Sequence, residues 1–219
     1  MDASYQSLPL HFLAAGERDR AACYRLEKER RNFVLRRSVL RLLLGSYAGI
    51  FPGDVLLSAV PGEKPRFLNS PTPVIHYSVS SSDALAVFAI TRSGRVGVDI
   101  ESVRAFDDLH DVAQNVFGDE ELAAIFSERT EAGRLRAFFS AWTRKEAVLK
   151  CQGKGMLANL RVVDALEYGE RLRDLSLAKG YASALACEEP STEVAVLEGP
   201  LTIDELMSIL PGTAGAAAV

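Results

Sequence analysis

The chain has 219 residues, of which 48% are hydrophobic and 25% are charged, a composition typical of a folded globular protein. Its 25 Lys and Arg residues against 29 Asp and Glu residues give a net charge of −4, which argues against a general nucleic-acid-binding protein. No apolar run is long enough to span a membrane, and the N-terminus lacks a signal-peptide pattern. We therefore expect a cytoplasmic protein without a membrane partner.

The first segment with a clear periodicity is rich in arginine. Nine Arg or Lys residues lie between Arg18 and Arg41, and apolar residues recur there at spacings of three, four and seven. This pattern predicts one long amphipathic helix with a basic exposed face, ended by Gly45 or Gly49.

A proline-rich loop at residues 61–73 separates this helix from a run of strands. Residues with high β-propensity predict strands at 74–78, 84–91 and 95–101. Ser93 and Gly94 are typical turn residues, so we expect the last two strands to form a hairpin.

The second half of the chain predicts helices followed by further strands. Helices are expected at 111–128 and 131–152, the second ended by Gly153, then strands at 160–163, 181–186 and 194–197 and a short helix at 203–210. This order, without a long linker, predicts an α+β fold of two lobes of about 100 residues each, which meet near residues 94–101. The predicted lobes are residues 1–95 and 96–210, and we expect a disordered tail at 211–219.

Two carboxylates share one face of the strand predicted at 95–101. Side chains alternate along a strand, so Gly97, Asp99 and Glu101 lie on one face and the neighbouring valines and isoleucine on the other. Next neighbours on one face are about 7 Å apart, a spacing at which two carboxylates can bracket a divalent cation. A solvated strand face is the alternative interpretation.

The helix predicted at 131–152 carries a second candidate group. Trp142, Glu146 and Lys150 are spaced four residues apart, which places an aromatic ring, a carboxylate and an ammonium along one stripe. Alternatively, Glu146 and Lys150 form an ordinary surface pair and Trp142 belongs to the core.

Residues 97–101 read GVDIE and residues 142–150 read WTRKEAVLK, and together they resemble the two motifs of the 4′-phosphopantetheinyl transferases. Three further segments, RSVLR at 37–41, GEKP at 62–65 and YSVSSSD at 77–83, resemble the larger single-chain type that activates biosynthetic synthases. One position departs from the family, because Ser81 stands where the family motif has a histidine. His76 lies outside that motif and is no substitute.

The resemblance implies transfer of the 4′-phosphopantetheine arm of coenzyme A to a serine of an apo acyl or peptidyl carrier protein, with release of adenosine 3′,5′-bisphosphate. It implies Mg²⁺ bound by Asp99, Glu101 and Glu146, and it makes Glu146, Lys150 and Asp99 the catalytic residues. Expected contacts to coenzyme A come from Arg37, Lys64, Arg66, Ser80, Ser81, Lys145 and Lys150, with Lys28, Arg31 and Arg41 as weaker candidates. The resemblance also implies two similar α+β lobes that form a pseudo-dimer with the active site between them, and we expect a monomer. Two alternatives stay open: a Mg²⁺-dependent nucleotide hydrolase, and a carrier-binding homologue without catalysis.

Overall fold

The computed structural model describes residues 10–58, 64–154, 160–190 and 194–196, together with residues 205, 206, 208 and 210. Contacts divide the chain into two compact units. The first comprises Met1–Ser58, Phe67–Ile75 and Gly199–Val219, and the second comprises Ala59–Arg66 and His76–Glu198. The predicted boundary between residues 95 and 96 falls inside the second unit, and the two similar lobes of a pseudo-dimer stay a prediction.

The first unit contains the basic segment as two helices, α1 (Ala15–Ala22) and α2 (Glu27–Ala48). The prediction of one continuous helix is wrong because the chain turns between them, which lets Leu13 and Ala21 pack with Phe33 and Val34 in one buried cluster. Gly49 ends α2 in the left-handed conformation with φ of 69°, so the later of the two predicted stops is confirmed.

The second unit contains two small antiparallel sheets, which confirms the α+β class. One sheet is a hairpin of β1 (His76–Ser82) and β2 (Leu85–Thr91). The other has the order β3-β5-β4, formed by β3 (Val96–Ser102), β4 (Leu172–Asp174) and β5 (Tyr181–Cys187).

The predicted hairpin at Ser93 and Gly94 is wrong, because β2 pairs with β1 and β3 pairs with β5. The tight turn lies instead at Asp83 and Ala84, and Asp83 has a positive φ of 50°, a left-handed conformation that Asp adopts more readily than most residues. β3 thus pairs with a strand of mostly small apolar residues. Side chains on both faces of β3 are buried along most of its length.

Three helices of the second unit follow β3: α3 (Leu109–Val116), α4 (Asp119–Ser127) and α5 (Glu131–Gln152). The single helix predicted at 111–128 is broken at Gly118, whose N–H donates to the Glu121 carboxylate at 2.9 Å and starts α4. The prediction for α5 is confirmed: the Thr130 side chain caps its start, and Gly153 ends it with φ of 72°.

The remaining sequence predictions have mixed outcomes. Residues Leu160–Val162 form a 3₁₀ turn rather than a strand, and the described residues 194–196 are not in a strand. The strand at 181–186 is confirmed as β5, and β4 was not predicted. Half of the residues of the helix predicted at 203–210 are described, and of these residues 205, 206 and 208 are helical, whereas all of the tail at 211–219 lies outside the described residues. Of the described helices, none combines the length and apolar character needed to cross a membrane.

Candidate active site

The site begins with an unusually close approach of α5 to β3 at Gly97. A Cβ atom at this position would lie 1.9 Å from the Ala147 carbonyl oxygen and 2.4 Å from the Cys151 nitrogen, so only glycine fits. Ala147 and the facing Ala184 of β5 are fully buried, and their small side chains let the helix lie flat on the sheet. The face of β3 that carries Gly97 therefore packs against α5, and by the alternation of side chains Asp99 and Glu101 belong to the same face.

This approach brings the two sequence motifs together through an ion pair. The Lys150 ammonium donates to Asp99 Oδ1 at 2.6 Å and to Ser80 Oγ at 3.0 Å, and the Ser80 hydroxyl donates to the same Asp99 oxygen at 2.6 Å. Asp99 is only 3% exposed, whereas the Lys150 side chain is 27% exposed and reaches the surface of the site. Among the described residues, no donor reaches the other buried carboxylate oxygen, Asp99 Oδ2. A buried carboxylate oxygen without a hydrogen-bond donor is uncommon, and an added cation or donor would satisfy it.

Two further carboxylates, those of Glu101 and Glu146, lie close enough to Asp99 for its charge to affect their pKa values. Burial raises the pKa of Glu101, and the charge of Asp99 raises it further, while the Ser82 hydroxyl donates to Glu101 at 2.8 Å and lowers it. Burial also raises the pKa of Glu146, again with contributions from Asp99 and Glu101. Within the described ranges, no three His, Cys, Asp or Glu side chains are grouped closely enough to hold one metal ion. The carboxylates nevertheless repel one another, so a cation between them would be stabilised.

A row of serines on β1 supports these carboxylates. The Ser78 hydroxyl accepts from the Val98 N–H at 3.1 Å, and the Ser82 hydroxyl accepts from the Ser102 N–H at 3.0 Å. The serines of β1 thus accept hydrogen bonds from two main-chain N–H groups of β3. Ser80 and Ser82 also donate to the two carboxylates of β3. The alternating serines in the sequence were the available sign of this arrangement, which sequence analysis missed. Ser81 lies on the other face of β1, because side chains alternate along a strand.

Two of the lysines predicted to contact coenzyme A bind other protein groups. Lys145 is 1% exposed, and its ammonium forms an ion pair with Glu121 at 2.8 Å and donates to the Val163 carbonyl at 2.8 Å. These contacts favour a structural role for Lys145 over the expected ligand contact. The Lys64 ammonium donates to the carbonyl oxygens of Val96 at 2.6 Å and Lys150 at 3.0 Å.

The predicted arginine contacts are distributed over both units. Arg37 on α2 of the first unit forms an ion pair with Glu17 at 3.2 Å, and Arg66 of the second unit is exposed. Arg41, a weaker candidate, is 2% exposed, binds Glu17 at 2.6 Å and donates to the carbonyls of Pro52, Gly53 and Val55. These bonds give Arg41 a structural role in the first unit.

The stripe predicted on α5 is present, with its three members half-buried on one face. Trp142 stacks on Phe138 with ring centroids 6.1 Å apart, so its ring belongs to the edge of the core. Lys150 pairs with Asp99 rather than with Glu146 in the manner of an ordinary surface pair. Lys150 is thus paired with Asp99, while burial and the negative charges of Asp99 and Glu101 raise the pKa of the Glu146 carboxylate.

A lysine beside several carboxylates, one of which has an oxygen without a donor among the described residues, is typical of enzymes that transfer phosphoryl groups with the help of a divalent cation. Residues 95–193, which include most of the second unit and both motifs, match the model of the 4′-phosphopantetheinyl transferase superfamily, so this part of the chain is similar to a domain of that superfamily.

Several curated proteins are similar to this chain. The 4′-phosphopantetheinyl transferase HetI of Nostoc sp. is 33% identical over 148 residues, which cover 66% of this chain and 61% of that protein. A putative 4′-phosphopantetheinyl transferase of Synechocystis sp. is 26% identical over 159 residues, covering 73% and 63%. The L-aminoadipate-semialdehyde dehydrogenase-phosphopantetheinyl transferase of Eremothecium gossypii is 32% identical over 152 residues, covering 65% and 53%. The matches thus span between 53% and 63% of the length of these relatives.

Proposed function

We propose that the protein transfers the 4′-phosphopantetheine arm of coenzyme A to a serine of an apo carrier protein, with adenosine 3′,5′-bisphosphate as the leaving product. The observation that carries this proposal is the contact between the two motifs, in which Lys150 of α5 binds Asp99 of β3 at 2.6 Å. The names of the relatives support the same reaction class. We also propose that it acts as a cytoplasmic monomer on carriers of fatty-acid, polyketide or peptide synthesis.

In the proposed reaction, the carrier serine oxygen attacks the phosphorus atom that bears the pantetheine arm. The bond from that phosphorus to the bridging oxygen breaks, and the electron pair leaves on the nucleotide phosphate. Glu146 accepts or orients the serine proton, a task for which its raised pKa suits it at neutral pH. Lys150, half-exposed beside Asp99, donates to the pyrophosphate and favours the charge that develops on the leaving oxygen.

A Mg²⁺ ion beside Asp99 is part of the proposal, because Asp99 has a buried oxygen without a donor among the described residues and Glu101 and Glu146 add negative charge near it, although the described carboxylates are not grouped as closely as one bound ion requires. Asp99, Glu101 and Glu146 would hold the ion, since Mg²⁺ prefers hard oxygen ligands shared with waters and substrate phosphates. Such an ion supplies positive charge next to the pyrophosphate. We expect Ser80 and the cations of Arg37 and Arg66 to contact coenzyme A.

Mass spectrometry tests the function directly. Apo carrier proteins of the fatty-acid, polyketide and peptide-synthetase types are incubated with the protein, coenzyme A and Mg²⁺. We expect at least one carrier to gain the mass of the phosphopantetheine arm, with release of adenosine 3′,5′-bisphosphate in equal amount. Release of nucleotide without any carrier would indicate a hydrolase. Carrier binding without a mass change would indicate a homologue that has lost catalysis.

A further inference from the structure

Lys64 occupies an unusual place for a residue expected to bind a phosphate. Its ammonium is half-buried and donates to two main-chain carbonyls, those of Val96 at 2.6 Å and Lys150 at 3.0 Å. Val96 is the first residue of β3, and Lys150 is in the last turn of α5. One side chain thus joins the backbones of the two elements that carry the motifs.

The carbonyl of Lys150 is one of those that a helix leaves without an intrahelical partner at its C-terminus. It also accepts from the Gly153 N–H at 3.3 Å, while the neighbouring Gln152 carbonyl accepts from Arg95 at 3.3 Å. Positive charge is favourable at this end of a helix because the aligned peptide dipoles leave it partly negative. Lys64 and Arg95 therefore stabilise the last turn of α5 from outside the helix.

Lys64 stays mostly charged at neutral pH although burial disfavours its charge. Burial lowers the pKa of Lys64 to about 8, and the charges of Lys150 and Arg95 act in the same direction. The ammonium is still the major form at neutral pH, so its two bonds are charge-assisted and stronger than neutral ones. These two hydrogen bonds offset part of the free-energy cost of burying the ammonium.

We propose that Lys64 is a positioning residue, which fixes the last turn of α5 on β3 so that the Lys150 ammonium stays on Asp99. Val96, one of the two residues that Lys64 contacts, is next to Gly97, where α5 lies close to β3. The other is Lys150, whose side chain pairs with Asp99. This role differs from the direct phosphate contact that the family resemblance implies for Lys64. Its kinetic consequence rests on the proposed function, whereas its structural consequence does not.

Lys64→Met tests the proposal, with Lys179→Met as the matched control because Lys179 is an exposed lysine in the turn before β5. Loss of two charge-assisted hydrogen bonds should raise amide hydrogen exchange in the last turn of α5 at least about tenfold in the free protein. At saturating coenzyme A, kcat should fall by about tenfold to a hundredfold, with less than about a threefold change in coenzyme A affinity by calorimetry. Lys64→Arg, which keeps a charged donor, should recover part of kcat.

A direct phosphate contact gives the opposite pattern, because the affinity for coenzyme A would fall about tenfold while exchange in the free protein stays unchanged. That result, or wild-type exchange and kcat in Lys64→Met, overturns the proposal. If Lys64→Met does not fold, Lys64→Gln, which keeps an uncharged N–H donor, is measured in its place. If the wild-type protein modifies no carrier, the proposed function fails. The exchange and calorimetry measurements still decide whether Lys64 is the anchor.

Discussion

Substituting alanine at Gly97 should separate the two halves of the site. The added Cβ would lie 1.9 Å from the Ala147 oxygen and 2.4 Å from the Cys151 nitrogen, and both are backbone atoms that cannot rotate away. Since carbon and oxygen atoms need more than about 3 Å, α5 has to move off β3 by more than about 1 Å. Overpacking of this kind costs about 1–3 kcal/mol, which lowers Tm by roughly 2 to 12 °C in a chain of this length.

The same displacement should damage activity more than stability. The bond from Lys150 to Asp99 is 2.6 Å long, so a shift of about 1 Å breaks it, and a misplacement of that size can reduce the rate about a hundredfold. Thermal unfolding and the carrier mass-shift assay measure the two effects. Gly16→Ala is the control, because a Cβ there meets nothing within 4 Å and the variant should match or slightly exceed wild-type stability. Wild-type Tm and transfer in Gly97→Ala would refute this account of the site.

Three further predictions concern charge. Glu146→Gln should abolish transfer yet raise Tm at pH 7, since it removes a half-buried charge together with its repulsion from Asp99, which cost up to about 1 kcal/mol; an unchanged or lower Tm would contradict this account of the carboxylates. Ser81→His should tighten coenzyme A by up to about tenfold at pH 6 but not at pH 8, and calorimetry showing no gain at pH 6 would place Ser81 outside the phosphate pocket. Lys64 has a folded pKa of about 8 against 10.5 unfolded, so between these values the unfolded chain binds more protons and stability rises with pH by at most about 1.4 kcal/mol per pH unit. Urea denaturation should show a shallower rise in Lys64→Met across this window, and an identical slope would exclude the lowered pKa.

Elements with a strong local pattern could be predicted from the sequence. The bounds of α5 follow from its periodicity, its Thr130 cap and the Gly153 stop, all of which are local features. The pairing of β3 could not be predicted, because its partner β5 lies about 80 residues away and strand pairing depends on which apolar faces meet. The nearby turn residues Ser93 and Gly94 therefore indicated the wrong hairpin.

The candidate site shows the same division between local and long-range information. Alternation along β3 placed Asp99 and Glu101 on the face with Gly97, and that inference needed only the period of a strand. The roles of cations could not be derived in this way, since Lys145 and Lys64 differ from ligand-binding lysines only in the carbonyls and carboxylates that folding brings to them. The presence of a lysine in a motif therefore does not show whether its ammonium binds a ligand or other groups of the protein.

In the proposed function, the ion pair of Asp99 and Lys150 is the centre of the transferase site. The most direct test is the rate at which Asp99→Asn, shown to be folded by circular dichroism, converts a carrier that the wild-type protein modifies. Asparagine keeps the shape of the side chain but removes the charge that holds Lys150, so we expect transfer to fall by at least about a hundredfold. A folded Asp99→Asn protein that modifies the carrier at the wild-type rate would contradict the assignment.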